Sequence, residues 1–448
     1  MSEAIAHIAA GRGALARDAF WRATCAVFAV VSLSLFLYYG ARYADETQRE
    51  LRLLPWLAYD LRVDFGYFYA GADLARHGDA AALYPEPGEP TVYPPDPVFQ
   101  ATQDDYARAR LLARGNYYNP PALAFLQAPL SALDFRLAFW LFSALSLAAL
   151  GGYGLLAWRA GRGVPELAFL LLGVISFKAV HETLIMGHLS LFFVLVLTAG
   201  FLAIRAEKQV LAGLVLSLLA LKPQWALLPA LFLLVRGEWR TFGVMATGAA
   251  AIFFLPFFVT GFHTLSNYYH FLRISAEWDL WDAPHMFSWN GFLLKLDSRP
   301  VWYEGGPIPD PTLIYVLIGL TAVPLLAVWA GRDFFLGAAA TVIAMLLVST
   351  HSVWYDWALL VVVALFVLLR PMSRGVRVQA WIILLALYVA TAYSTEALLT
   401  PDRHYVDWQR PEFYPITPIA FAALLWLAAL TIREGRLKLP PFRRPMIT

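Results

Sequence analysis

About a dozen apolar stretches, each long enough to cross or nearly cross a bilayer, divide these 448 residues into short loops, and the loops alternate in charge. A straight helical span needs about 20 apolar residues to match a hydrocarbon core ~30 Å thick. Hydrophobic residues make up 60% of the chain and charged residues 15%, with mean hydropathy +0.58. Soluble domains are about half apolar and a quarter charged. Soluble packing cannot hide this much apolar surface, so the chain reads as an all-α polytopic membrane protein.

The expected spans are 22–42, 136–158, 165–180, 185–204, 209–221, 223–235, 241–262, 312–330, 334–350, 355–369, 378–396 and 414–432. Several fall short of a straight crossing, and those around Gly187 and Pro223 read as broken or re-entrant. Such backbone is tolerated where protein shields it or a water-filled cavity receives it. With the N-terminus in the cytoplasm, the cytoplasmic loops hold 18 of the 34 Lys and Arg but 7 of the 32 acids. The positive-inside rule favours that orientation, with both termini inside. The segment Thr24–Ala41 reads as an uncleaved anchor; a signal peptide is the competing reading, but no A-x-A site follows. The single cysteine, Cys25, excludes an intrachain disulfide. No stretch suggests a tethered soluble domain, so residues 1–448 form one integral membrane domain with long outer segments at 43–135, 263–311 and 397–413.

The unusual polar motifs collect on the outer side. In the first outer segment, Asp64–Gly78 spaces Phe65, Phe68, Tyr69, Ala72 and Ala75 as a helix, with Asp64 at its head and Gly78 to end it. An amphipathic helix lying on the outer face fits. A second helix opens at Pro120-Pro121 and carries apolar residues to Leu133. Asp64 is either a general base for an acceptor hydroxyl or a plain N-cap. Asp73 lies about 180° round that helix and cannot share its site, whereas Asp60 can if the helix starts earlier.

Lys178, His181 and Glu182 precede Gly187-His188-Leu189-Ser190; they line a site or form an interfacial pair. Lys222-Pro223-Gln224 joins two apolar runs without a loop, placing a lysine to neutralise a phosphate or to snorkel. Ser288-Trp289-Asn290-Gly291 sits among Trp278, Trp281, Trp302 and Tyr303, rings that stack on sugars or form an interfacial belt. His351-Ser352-Val353-Trp354-Tyr355-Asp356 offers a histidine to donate to a phosphate or to cap a helix. Metal binding by Asp64 with His351 stays open, since no ligand spacing is diagnostic. No dinucleotide fingerprint, Walker loop, HExxH or CxxC is present, and nothing indicates nucleic acid as a partner. An enzyme acting outside has no nucleotide sugar, so it needs a lipid-borne activated substrate.

At these residues the chain resembles glycosyltransferase family 87, within the GT-C superfamily of multi-span enzymes that use polyprenyl-phosphate sugars. The matching pieces run in order: Asp64-Phe65 with Tyr69-Ala70, Gly78, Leu83-Tyr84-Pro85, Tyr118-Asn119-Pro120-Pro121, Pro129-Leu130, Lys222-Pro223-Gln224, Ser288-Trp289-Asn290-Gly291 and His351. The resemblance implies a GT-C-like bundle of about 12 transmembrane helices with outer-face amphipathic helices. It also implies an inverting hexosyl transfer, mannose by family pattern, from a polyprenyl-phosphate donor to a lipid or glycan acceptor. Asp64 would be the catalytic base; Lys222, His351 and Lys178 would meet the donor phosphate. Tyr69, Tyr118, Asn119, His181, Glu182, His188, Gln224, Trp289, Asn290 and Tyr355 would line the substrate. No cofactor is expected, and a divalent metal stays open. Two departures concern sugar recognition: Gly187-His188-Leu189-Ser190 stands where Gly-Gln-x-Asn is expected, and Gly291 stands in place of Gln.

Two other function classes compete. A transporter or lipid-linked glycan flippase suits twelve spans, but predicts two related halves and charges near the midplane. A lipid-linked glycan polymerase or ligase shares the topology and chemistry. The expected location is a bacterial plasma membrane, with cell-envelope glycolipid as product and the site on the extracytoplasmic face.

Overall fold

The computed structural model describes residues 30–35, 37–38, 41, 64–87, 117–161, 166–282, 286–296, 311–398 and 414–434. Most of the expected span 22–42, including Cys25, lies outside these residues, as do Asp60, Trp302, Tyr303 and 399–413. So do the side chains of Trp278 and Trp281.

Most of the described residues are helical, and Met286 and Val353 form an isolated antiparallel bridge. The outer-segment helix α1 spans Asp64–Arg76, and α2 spans Pro121–Gln127 with proline in its first turn. Gly78 follows α1 at φ +79°. Both helices were legible from spacing, but α1 does not merely lie on a lipid surface. Phe65, Phe68 and Leu74 are buried, and Phe65 packs on Phe139 and Phe142 of the long helix that begins at Phe135. Protein, not lipid, takes that apolar face.

The bundle follows: α3 Phe135–Ala160, α4 Leu167–Ile175, α5 Lys178–Met186, α6 Ser190–Arg205, α7 Gln209–Ser217 and α8 Leu227–Val235. Then come α9 Trp239–Thr260, α10 Phe262–Asp282, α11 Trp289–Leu296, α12 Pro311–Ala330, α13 Phe334–Val348, α14 Leu360–Leu369, α15 Arg374–Leu398 and α16 Ile416–Arg433. Among the described residues five helices are long and apolar enough to cross a membrane, six if the bent pair α4–α5 counts as one span. Five shorter apolar helices accompany them, so the count of twelve full spans is not reproduced. The segments agree closely with the expected ones; many are simply too short to cross alone. The expected outer loop 263–311 contains α10, hidden from the hydropathy reading by His263, His270 and Arg273.

Length sorts with position. α6 and α13 have 16 and 15 residues, about 22–24 Å of helix, and most of their residues are buried. α3 and α9 have 26 and 22 residues, about 39 and 33 Å, and present Leu141, Leu145, Leu155, Phe254 and Phe258 outward. These two short helices thus lie at the centre and these two long ones at the periphery.

The segment 209–235 is a hairpin. Gly213 of α7 lies against Thr241 and Val244 of α9, and Gly248 lies against Ser217, so α7 and α9 run parallel. Because α8 returns to the start of α9, it runs back along α7. Short 3-10 turns at Leu218–Leu221 and Pro223–Trp225 form the tip, with Lys222 between them.

Charges gather at the two ends. At one, Arg370 pairs with Asp333 and Glu434, and Asp333 also caps α13 by accepting from the Phe335 and Leu336 amides. Arg205 and Arg236 lie over Phe335 and Phe334 there, both rings 5.3 Å away. All five charged residues belong to the loops that the charge pattern assigned to one side.

Candidate active site

The other end is built at helix breaks. Gly187 ends α5 at φ +62°, and a Cβ there would lie 2.6 Å from that of Phe65. Only glycine meets both demands, and α1 is thereby pressed against the His188 turn. His188 is buried; its ring lies 4.3 Å from Tyr355 and 5.7 Å from Phe68, and its Nδ1 is 2.9 Å from Ser190 Oγ.

Asp356 is fully buried at the centre of this end. Lys222 Nζ donates to its Oδ2 at 2.7 Å, Ser190 Oγ donates to its Oδ1 at 2.9 Å, and the Val353 amide donates to Oδ2 at 3.3 Å. The hairpin tip, the head of α6 and the turn before α14 are therefore joined by one carboxylate. Lys222 also lies over the Trp225 ring, 4.1 Å away. A buried carboxylate with a cation and several donors is compensated for its lost hydration. Among the candidates named from sequence, Asp356 was missing: it closes the quoted His351 motif, but its partners lie 134 and 166 positions away.

One residue before it, the Tyr355 hydroxyl donates to Asp64 Oδ2. Tyr355 is 5% exposed, its carbonyl accepts from Thr183 Oγ1 at 3.1 Å, and Asp64 is half-buried at the head of α1. Asp73 faces elsewhere and pairs with Arg76 at 2.8 Å, as helix geometry required.

The remaining candidates separate into two groups. Tyr118 and His351, both half-buried, stack at 5.5 Å; Asn290 Nδ2 donates to the Thr350 carbonyl at 3.3 Å; and the Asn119 carbonyl accepts from Tyr84. His351 and Lys222 both act electrostatically on His188. The segment 350–356 is thus the hub where these motifs meet, and Phe287 N bonds the Ser352 carbonyl to bring in the Ser288 motif. Gln224 is exposed beside the hairpin tip.

Others are enclosed. Lys178 and Glu182 form an ion pair at 2.7 Å with side chains 1% and 3% exposed, which closes Lys178 off from an incoming phosphate. The buried His181 has its Nε2 2.8 Å from the Ile175 carbonyl, bridging the bend between α4 and α5. The buried Trp289 donates from Nε1 to Thr321 Oγ1 at 2.8 Å, so its ring is packing, not an open sugar platform. Tyr69 donates to the Leu133 carbonyl at 2.7 Å, fastening α1 to the segment after α2. At Gly291 a Cβ would run into the Met286 carbonyl, so no side chain fits where Gln was expected. Among the described residues no three His, Cys, Asp or Glu come together as a metal ligand set.

The family model described as glycosyltransferase family 87 matches residues 117–350, slightly more than half of the chain. The match takes in Tyr118, His188, Lys222 and Asn290, while Asp64, His351, Tyr355 and Asp356 lie beyond its limits. No curated protein and no solved structure matches the chain. The chain belongs to glycosyltransferase family 87.

Proposed function

We propose that this family 87 chain, a membrane glycosyltransferase, is an inverting enzyme that uses a polyprenyl-phosphate sugar. The sugar is read as mannose, and the acceptor as a lipid or glycan at the extracytoplasmic face of a bacterial plasma membrane. The reading rests chiefly on one observation: Asp64, half-buried at a helix head, has its carboxylate held by Tyr355 beside the His188–Asp356–Lys222 cluster. A carboxylate held in place yet partly open suits a general base.

In this mechanism Asp64 takes the proton of an acceptor hydroxyl as its oxygen attacks the anomeric carbon. The bond from that carbon to the phosphate oxygen breaks, and the polyprenyl phosphate leaves with the electron pair. Attack from the opposite face inverts a β-linked donor to an α-linked product. His351, half-buried against Tyr118, is the side chain proposed to meet the leaving phosphate. Lys222 already matches its charge to Asp356; its part is to set the local potential and to hold the 350–356 segment. Tyr118, Asn119, His188, Gln224 and Asn290 are proposed to surround the substrate. Lys178 and Glu182 brace α5 behind Tyr355. The charge asymmetry of the loops supports an extracytoplasmic site, since the Arg370 end holds the residues assigned to the cytoplasm.

The test is transfer of label from polyprenyl-phosphate mannose to membrane lipid extract by wild type and Asp64→Asn. A new labelled glycolipid with wild type alone supports both donor and base. Equal transfer by both proteins removes Asp64 from the role. A ladder of products in place of a single one would favour the polymerase reading.

A further inference from the structure

We propose that Tyr355 is a positioning residue for Asp64: its hydroxyl donates to one carboxylate oxygen and so sets how the carboxylate is aimed. The inference rests on the reading of Asp64 as base, and the contact itself can be tested without that reading.

Three observations carry it. The hydroxyl donates directly to Asp64 Oδ2, joining residues 291 positions apart. The tyrosine cannot swing away, because its ring lies 4.3 Å from that of His188 and 5.1 Å from that of Trp354, and it is 5% exposed. Its backbone is held from both sides, by Thr183 Oγ1 on its own carbonyl and by Asp356, the next residue, tied to Lys222 and Ser190. The most firmly anchored turn of this end therefore aims a rigid donor at the proposed base. Asp64 is half-buried and is the first residue of α1. A donor on a fixed turn sets where that carboxylate rests. A hydrogen bond to the ionised form also keeps the carboxylate deprotonated to lower pH.

The experiment follows the Asp64 carboxyl stretch by infrared difference spectroscopy against Asp64→Asn, in wild type and Tyr355→Phe, across acidic pH. The phenylalanine removes the donor and keeps the ring, so the protonation midpoint should rise by about 1 pH unit. In the transfer assay the acidic limb of kcat/KM should move up with it. The kcat should fall by about tenfold or more, with KM for the acceptor little changed. If Tyr355→Phe folds poorly, 3-fluorotyrosine placed at 355 keeps the ring and donates more strongly, and should move the midpoint down. An unmoved midpoint in both variants overturns the proposal, as does a loss of activity with the pH limb in place. A moved midpoint in a protein that transfers no polyprenyl-phosphate sugar keeps the contact and removes the base reading instead.

Discussion

The two ends of the bundle both bury opposite charges, but they do so with different parts of the fold. At one end Arg370 joins Asp333, which caps α13, to Glu434, which follows α16. These partners sit at helix termini, so the pairing finishes regular helices. At the other end Asp356 joins Lys222 at a hairpin tip to Ser190 beside a left-handed glycine turn. These partners sit at helix breaks, where irregular backbone is stable because protein surrounds it. The first arrangement fastens elements together. The second gathers several chemically different groups around one turn, which is what a site requires.

The comparison can be broken most directly at Asp64. Asp64→Asn should lower transfer by ~10²–10⁴-fold, the usual contribution of general base catalysis, with the thermal midpoint unchanged. An active Asp64→Asn protein would leave the Asp356 end as structural as its counterpart. Removing one partner of either buried pair should be costly at both ends. Asp356→Ala strands Lys222 and Arg370→Ala strands Asp333, each by about 3–5 kcal/mol in detergent unfolding. The double replacements sharpen the contrast. Lys222→Leu with Asp356→Leu should restore much of the stability while transfer stays lost, whereas Arg370→Leu with Asp333→Leu, which also gives up the α13 cap and the Glu434 pair, should restore less stability but keep transfer.

A smaller effect separates two glycines. Gly187→Ala meets Phe65 as well as an unfavourable φ and should destabilise by ~2–3 kcal/mol, displacing α1 and slowing transfer. Gly78→Ala has a similar φ of +79° but open space, and should cost about 1 kcal/mol with transfer retained. The smallest change is Arg76→Ala, which removes a pair whose arginine is 40% exposed and should cost under about 1 kcal/mol by the same unfolding measurement.

Most of this architecture was legible in the apolar periodicity and the loop charges. The expected 136–158 is Phe135–Ala160, 312–330 is Thr312–Ala330, and the joint at Lys222-Pro223 is a true turn. The bend at Ser176 was not legible, because no Pro marks it and Gly173 reads as part of a continuous apolar run. Ser176 Oγ donates back to the Leu172 and Gly173 carbonyls, a local bond that competes with the helix ladder. Within the site, Asp64, His188 and Lys222 stood out as polar residues at span ends. Their partner Asp356 did not, because a carboxylate declares its role only through neighbours brought together from distant segments. The enclosure of Lys178 and Trp289 was equally invisible, since spacing along a helix does not say what packs over it.

The central helices α6 and α13 are each shorter than a straight membrane crossing, and the turn bearing Tyr355 and Asp356 follows the far end of α13. Measured from the Arg370 end, a helix of about 22–24 Å stops short of the ~30 Å apolar thickness that the longer peripheral helices match. With the Arg370 end set at one membrane surface, the Tyr355–Asp356 turn would fall several ångströms short of the opposite edge of the apolar layer. Bilayer thickness then becomes part of the enzyme's setting. A thinner bilayer would bring the head-group layer nearer to Asp64, and a thicker one would oblige the phosphate of the proposed donor to sink further into an apolar surround.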